Sequence, residues 1–139
     1  MAFLKSHPQI SEFASENLTY SMLINVVASD PRFKVLNVLC HIPLREVVKD
    51  TSLMNEDELK YAGNYNTHLD FLIINRVSKQ PVVAIETDGY SYHNEETDQH
   101  RRDLMKDHIL SNYGLPLLRL STKGSGERTK VLELLNTLI

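Results

Sequence analysis

Three acidic residues stand where acids are costly. The segments HLDFLIIN (68–75) and PVVAIETD (81–88) are otherwise apolar runs, yet Asp70 interrupts the first and Glu86 and Asp88 interrupt the second. Residues two apart in a strand point to the same face, so Glu86 and Asp88 project together. Adjacent strands lie about 4.8 Å apart, which lets Asp70 stand beside them in a suitable register. Carboxylates crowded at the edge of an apolar sheet repel one another and lose hydration, so alone they take up protons. A divalent cation removes that conflict, and an all-oxygen donor set selects Mg²⁺ or Mn²⁺ rather than zinc. Solvation is the plainer alternative. It accounts well for a single Asp at a strand end, and poorly for Asp70 together with Glu86-x-Asp88.

The elements that must hold these acids follow from periodicity. Between Ser11 and Val27 the residues Phe13, Leu18, Met22, Leu23, Val26 and Val27 recur at helical spacing, and Asp30-Pro31 ends that helix. Phe33–Ile42 is β-rich and predicts a first strand, followed by a helical turn over Leu44–Lys49. The polar stretch Thr51–Asn66 predicts a loop. The runs 68–75 and 81–88 predict two strands, antiparallel because the linker Arg76–Gln80 is of hairpin length. A turn over Gly89–Asn94 leads into a charged helix, Glu95–Tyr113, with Leu104, Met105, His108 and Ile109 facing inward and Gly114 as its stop. Leu117–Leu120 predicts a short buried strand, and Arg128–Leu138 a closing helix. The order predicts an α/β fold: one central mixed sheet of about four strands flanked by helices.

The bulk properties narrow the class. At 139 residues the chain fits a single domain, 1–139, with residues 1–10 expected as a disordered or non-native start. No apolar run approaches the roughly 20 residues of a membrane span, and Met1–Pro8 lacks the pattern of a secretion signal. The lone Cys40 excludes an internal disulfide and a Cys-rich zinc site, which favours a reducing, cytoplasmic setting. A net charge of −3 argues against a protein that coats nucleic acid. The charge is uneven: 8 Lys/Arg against 13 Asp/Glu up to residue 97, then 7 against 4 from 98 to 130. An acidic segment beside a basic one suits a site that holds a cation and receives a phosphate.

Taken in order, LDFLII, VAIETDGYSYH, RRDLMKD and YGLPLLRL resemble the very-short-patch-repair-like branch of the PD-(D/E)XK nuclease superfamily. Within that branch the chain is similar to an uncharacterised family often fused to helicase or ATPase domains. The resemblance runs from about Glu16 to the C-terminus and is most specific over Asp70–Leu120. It implies a restriction-endonuclease-like three-layer fold and Mg²⁺- or Mn²⁺-dependent hydrolysis of DNA, in a fragment or terminal module of a longer protein whose helicase or ATPase part delivers the substrate. Its alternative is a catalytically inactive nucleic-acid-binding or scaffold domain of the same fold.

By the same resemblance Asp70 matches the first motif aspartate and Glu86 the acidic member of the second. Asp88 stands where many members carry the catalytic lysine. His93 matches the histidine after the glycine turn, Glu16 a first-helix glutamate that approaches the metal, and Arg102 and Asp103 the Arg-Asp of the following helix, with Lys106 one turn on. Asp70 and Glu86 are thus expected to hold the metal, with Asp88 as a further ligand or a hydrogen-bond partner of the attacking water. The duty of the missing lysine passes to His93, Lys106 or Arg102. His93 is the best acid/base candidate because an imidazole exchanges protons near neutrality.

Arg102 and Lys106, one turn apart, are candidate phosphate contacts. So is Lys123 in the Gly/Ser-rich stretch 121–126, although a plain strand-to-helix turn is the better reading there. Tyr90 and Tyr92 read first as loop packing and second as a base-stacking pair. The stripe His100, Asp103, Asp107 reads as a solvated helix face, His41 and His68 as structural, and Cys40 as a small buried hydrophobe.

Overall fold

A computed structural model describes residues 14–88, 98–121 and 126–139. Helix α1 (Ala14–Ala28) is followed by a 3-10 turn (Pro31–Phe33), strand β1 (Leu36–Pro43), and helices α2 (Leu44–Val47) and α3 (Glu56–Gly63). Then come β2 (His68–Asn75), β3 (Pro81–Asp88), α4 (Asp98–Asn112), β4 (Leu117–Ser121) and α5 (Glu127–Leu138). The sheet order is β1-β2-β3-β4, with β1/β2 and β2/β3 antiparallel and β3/β4 parallel. The β2–β3 hairpin turns at Lys79, which has a positive φ of 65°. There Asn75 Oδ1 accepts the N–H groups of Val77 (2.9 Å) and Ser78 (3.1 Å). The parallel β3–β4 pair needs a crossover, and α4 lies within it.

The apolar residues of strands 68–75 and 81–88 are buried on both faces because helices cover each side of the sheet. On one face Phe71, Ile73, Val83, Ile85 and Leu120 pack with Leu23 and Val26 of α1, Phe33, and Val131 and Leu135 of α5. On the other, Leu69, Leu72 and Ala84 pack with Leu44, Val48, Ala62 of α3, and Ile109 and Leu110 of α4. Each fully buried Phe or Leu contributes about 1.5–3 kcal/mol relative to exposure. Two helical layers enclosing a mixed sheet are what the sequence pattern predicts. Among the described residues no helix is long and apolar enough to cross a membrane.

Strands β1 and β2 share an irregularity. Their ladder runs from Leu36–Asn75 to Pro43–His68 and skips the His41–Asp70 pair. Cys40 and Phe71 pack toward α1 and α5, whereas Ile42 and Leu69, two residues away in each strand, pack toward α2–α4. Strict alternation would keep such residues on one face. The alternation is reset at His41, whose φ of 52° is unusual for a residue with a side chain. His41 and Asp70 thus sit opposite each other where the two faces exchange.

Three expectations are corrected. β1 begins at Leu36, not Phe33, because Asp30 accepts the Arg32 N–H (2.9 Å) and caps a 3-10 turn over Pro31–Phe33. Helix α3 occupies part of the expected loop 51–66. Asn55 and Glu58 form a capping box at its start, yet its inward residues are Glu58 and Ala62 while Leu59 is exposed, so apolar periodicity had nothing to display. The inner face of α4 is also rotated: Lys106, Ile109 and Leu110 are buried, and Leu104 and His108 are exposed. Ion pairing sets that rotation, since Lys106 turns inward to Glu86 and Asp103 toward Arg119. Gly114, at φ 73°, stops the helix as predicted, and the Leu115 N–H returns to Leu110 O (2.9 Å).

Candidate functional site

The β2–β3 ladder reaches Phe71–Ile85 and stops at the acids. Beyond it, side-chain oxygens take the place of backbone partners. The Asp70 N–H donates to Glu86 Oε2 (2.7 Å), while the Thr87 N–H (3.0 Å) and Thr87 Oγ1 (3.2 Å) donate to Asp70 Oδ2. Each carboxylate is held by a backbone amide of the opposite strand, so both have fixed positions. The strands part there, and a cavity of about 360 Å³ opens at the sheet end.

From α4, the buried Lys106 reaches the same place. Its Nζ donates to His68 O (2.9 Å) and pairs with Glu86 Oε1. Burial drives the Glu86 carboxyl upward, and the Asp70 charge adds to this, against the lowering by Lys106. Burial acts to lower the Lys106 ammonium, but the charges of Glu86, Tyr61 and Asp70 outweigh it and the net shift is upward. Lys106 therefore stays protonated at neutral pH. Tyr61, from α3, has its hydroxyl pushed upward, chiefly by burial.

The rest of the wall is polar. Glu16 from α1 meets His41 from β1, with Oε2 3.2 Å from Nε2. The His41 and His68 rings lie 5.2 Å apart at 45°, and His68 Nε2 is 3.7 Å from Asp70 Oδ1. Arg102 stands exposed at the mouth, bonded to Gln99 (3.2 Å). Arg119 of β4 ties to Asp107 (2.7 Å) and approaches Asp103 (3.7 Å). The Asp103–Asp107 part of the supposed solvated stripe thus serves to anchor α4 to β4.

Five of the sequence-derived candidates, Asp70, Glu86, Glu16, Arg102 and Lys106, line this one cavity. Asp88 ends β3 opposite Ser121 of β4, and its side chain lies outside the described part. His93, Lys123, Tyr90 and Tyr92 also lie outside the described residues. The expected conflict between bare carboxylates takes a different form: backbone amides and the Lys106 ammonium already offset their charge. As placed, no three His, Cys, Asp or Glu side chains among the described residues form a group that could hold a metal ion. His68 is at the cavity wall, with His41 behind it against the His68 ring and Glu16, and Tyr61, Thr87 and Arg119 also line it. Only the β1–β2 register brings the two histidines together, so no spacing in the chain announced them. Cys40 packs beside the core as a small hydrophobe but is half-buried rather than buried, with its thiol pushed up by burial and by the Glu16 charge.

The fold and this site define a mixed α/β domain with an acid–lysine cavity at one end of its central strands. The chain belongs to the family described as Protein of unknown function (DUF2726), whose model matches residues 13–138. No curated protein and no solved structure matches it.

Proposed function

We propose that this domain is a Mg²⁺- or Mn²⁺-dependent deoxyribonuclease with a restriction-endonuclease-like arrangement of its three layers. The observation that carries the reading is the placement of Asp70 and Glu86 on parted strand ends with Lys106 beside them. The donor chemistry fits a hard cation. Thr87 holds Asp70 Oδ2, and Oδ1 lies on the His68 side of the cavity wall. Burial raises the Glu86 carboxyl, so a second positive charge at the site is favourable.

Asp70 and Glu86 would hold the ion, with Asp88 and Glu16 as further ligands; when bound, it would polarise the phosphodiester and make water a better nucleophile. Lys106 takes the place of the missing motif lysine. Because it stays charged, it acts as a hydrogen-bond donor and counter-charge for the phosphate rather than as a base. The base role then falls to His93, and Arg102 at the mouth contacts a neighbouring phosphate. The substrate is DNA, delivered by a helicase or ATPase region of a longer cytoplasmic protein.

A second reading, a nucleic-acid-binding scaffold that does not cut, draws on the same Lys106, because its ammonium already neutralises Glu86. A panel of duplex, nicked, branched and single-stranded DNA with Mg²⁺ or Mn²⁺ separates the two. Cleavage that disappears in Glu86→Ala, with calorimetric Mn²⁺ binding lost in parallel, supports the nuclease. DNA binding that ignores chelator, with no cutting and no metal-induced rise in melting temperature, leaves the scaffold.

A further inference from the structure

We infer that Tyr65 and Arg45 form a stacking platform at the lip of the cavity, where an unpaired DNA base lies on the Tyr65 ring and its phosphate meets Arg45. The inference rests on the reading above only in having a DNA strand enter the cavity. It adds the substrate class: DNA with an unpaired stretch beside the phosphate at the acids, rather than intact duplex.

Position supports it. Asn66, Thr67 and His68, which follow Tyr65 in the chain, line the cavity. Two residues of chain span at most about 7 Å, so Tyr65 is rooted close to that wall. The loop that carries it is held in place. Asn64 Oδ1 accepts the Asn66 N–H (2.9 Å), Asn64 O accepts the Thr67 N–H (3.0 Å), and Thr67 O accepts the Leu44 N–H (2.9 Å). The last bond ties the loop to α2, whose Arg45 lies over the Tyr65 ring with its guanidinium carbon 4.5 Å from the centroid.

Exposure and charge point the same way. Tyr65 is 67% exposed even with Arg45 on one face. The hydrogen bonds above already fasten the loop, so the ring is not needed for that task. A flat ring held open to water is suited to receive the π-face of a base. Among the described residues no carboxylate pairs with Arg45, which leaves its charge for a phosphate. Arg102 adds an exposed cation at the same mouth. Duplex DNA offers base edges in its grooves, whereas the base faces are covered by stacking. A ring of this kind therefore meets a base face only where the strand is unpaired or a base is turned out.

The chain contains no tryptophan, so Tyr65→Trp places a single fluorophore on the platform. The test titrates this full-length variant at low salt, in EDTA so that no strand is cut, with a single-stranded oligonucleotide and with the blunt duplex of the same sequence. Anisotropy of labelled DNA measures binding by wild type, Tyr65→Ala, Tyr65→Phe and Arg45→Gln in parallel. Single strands are expected to quench the tryptophan emission, and blunt duplex is not. Tyr65→Ala should bind single strands about tenfold more weakly and Tyr65→Phe like wild type. Arg45→Gln should reduce the slope of log affinity against log salt by about 0.7. Thermal melting checks that every variant is folded. Equal single-strand affinity in wild type and Tyr65→Ala would overturn the proposal, as would unchanged emission with single strand bound, or no binding of single strands at all. If single strands bind and quench as stated while no DNA is cut with Mg²⁺ or Mn²⁺, the nuclease reading fails and the platform stands. If Mg²⁺-dependent cutting depends on Glu86 while Tyr65→Ala binds and cuts single strands like wild type, only the platform fails.

Discussion

Asp70 and Glu86 face each other across β2 and β3, and the Asp70 amide that would have continued the ladder donates instead to the Glu86 carboxylate, at 2.7 Å. The Asp70 carboxylate is held in turn by the amide of Thr87, the residue after Glu86 (3.0 Å). Backbone groups locked in a sheet therefore position both acids. Side chains fixed in this way lose little entropy when a ligand binds, because most of it was lost on folding.

Replacing Asp70 by Asn separates position from charge. The Asn side-chain oxygen can still accept from Thr87, so the melting temperature should move by only a few degrees. Metal-dependent cleavage should fall by more than the roughly 100-fold that loss of an outer-shell partner costs. Single-turnover cleavage beside a melting curve reads both. Cutting at the wild-type rate would remove Asp70 from the site.

Lys106→Met should cost about 3 kcal/mol of stability, since it leaves Glu86 buried without its partner. Adding Glu86→Gln to that variant should recover most of the loss. Their pH dependence should also differ. The Lys106 ammonium is raised in the folded state, so its contribution is full below its ordinary value of 10.5 and is lost as pH rises through the folded value. Urea denaturation carried from pH 9 to well above 10.5 should show this alkaline limb in wild type and not in Lys106→Met.

Arg102 stands exposed at the cavity mouth, where the proposed nuclease reading has it contact a phosphate. Arg102→Ala should weaken DNA binding uniformly across sequences and reduce the slope of log affinity against log salt by about 0.9. A fluorescence-anisotropy titration at several salt concentrations measures it. An unchanged slope would mean that Arg102 touches no phosphate.

Helix α3 depends on Glu58, whose Oε1 accepts the Asn55 N–H (3.0 Å) and whose Oε2 pairs with His108 of α4. Burial acts to raise this carboxyl, but the Asn55 amide and His108 together bring it below its ordinary value of 4.5. Its stabilisation is therefore full above 4.5 and is lost as pH falls through the folded value. Glu58→Gln should flatten the acid limb of the stability curve. Asn55→Ala should cost about 1 kcal/mol at pH 7 through loss of the cap.

The sequence by itself determined the layers and most of the strands. Two apolar runs joined by five residues form an antiparallel hairpin whatever surrounds them, and acids inside such runs mark themselves by the desolvation they risk. Local capping could have located α3 from Asn55 and Glu58, but its inward face is Glu58 and Ala62, so the hydrophobic signal was missing. Which face of α4 turns inward was not legible either. Apolar periodicity favoured Leu104 and His108, whereas Lys106 is buried because Glu86, twenty residues earlier, supplies its charge partner. The meeting of His41, His68, Glu16 and Asp70 belonged to tertiary structure alone. It arises where β1 and β2 exchange faces, and register, unlike periodicity, depends on contacts between segments far apart in the chain.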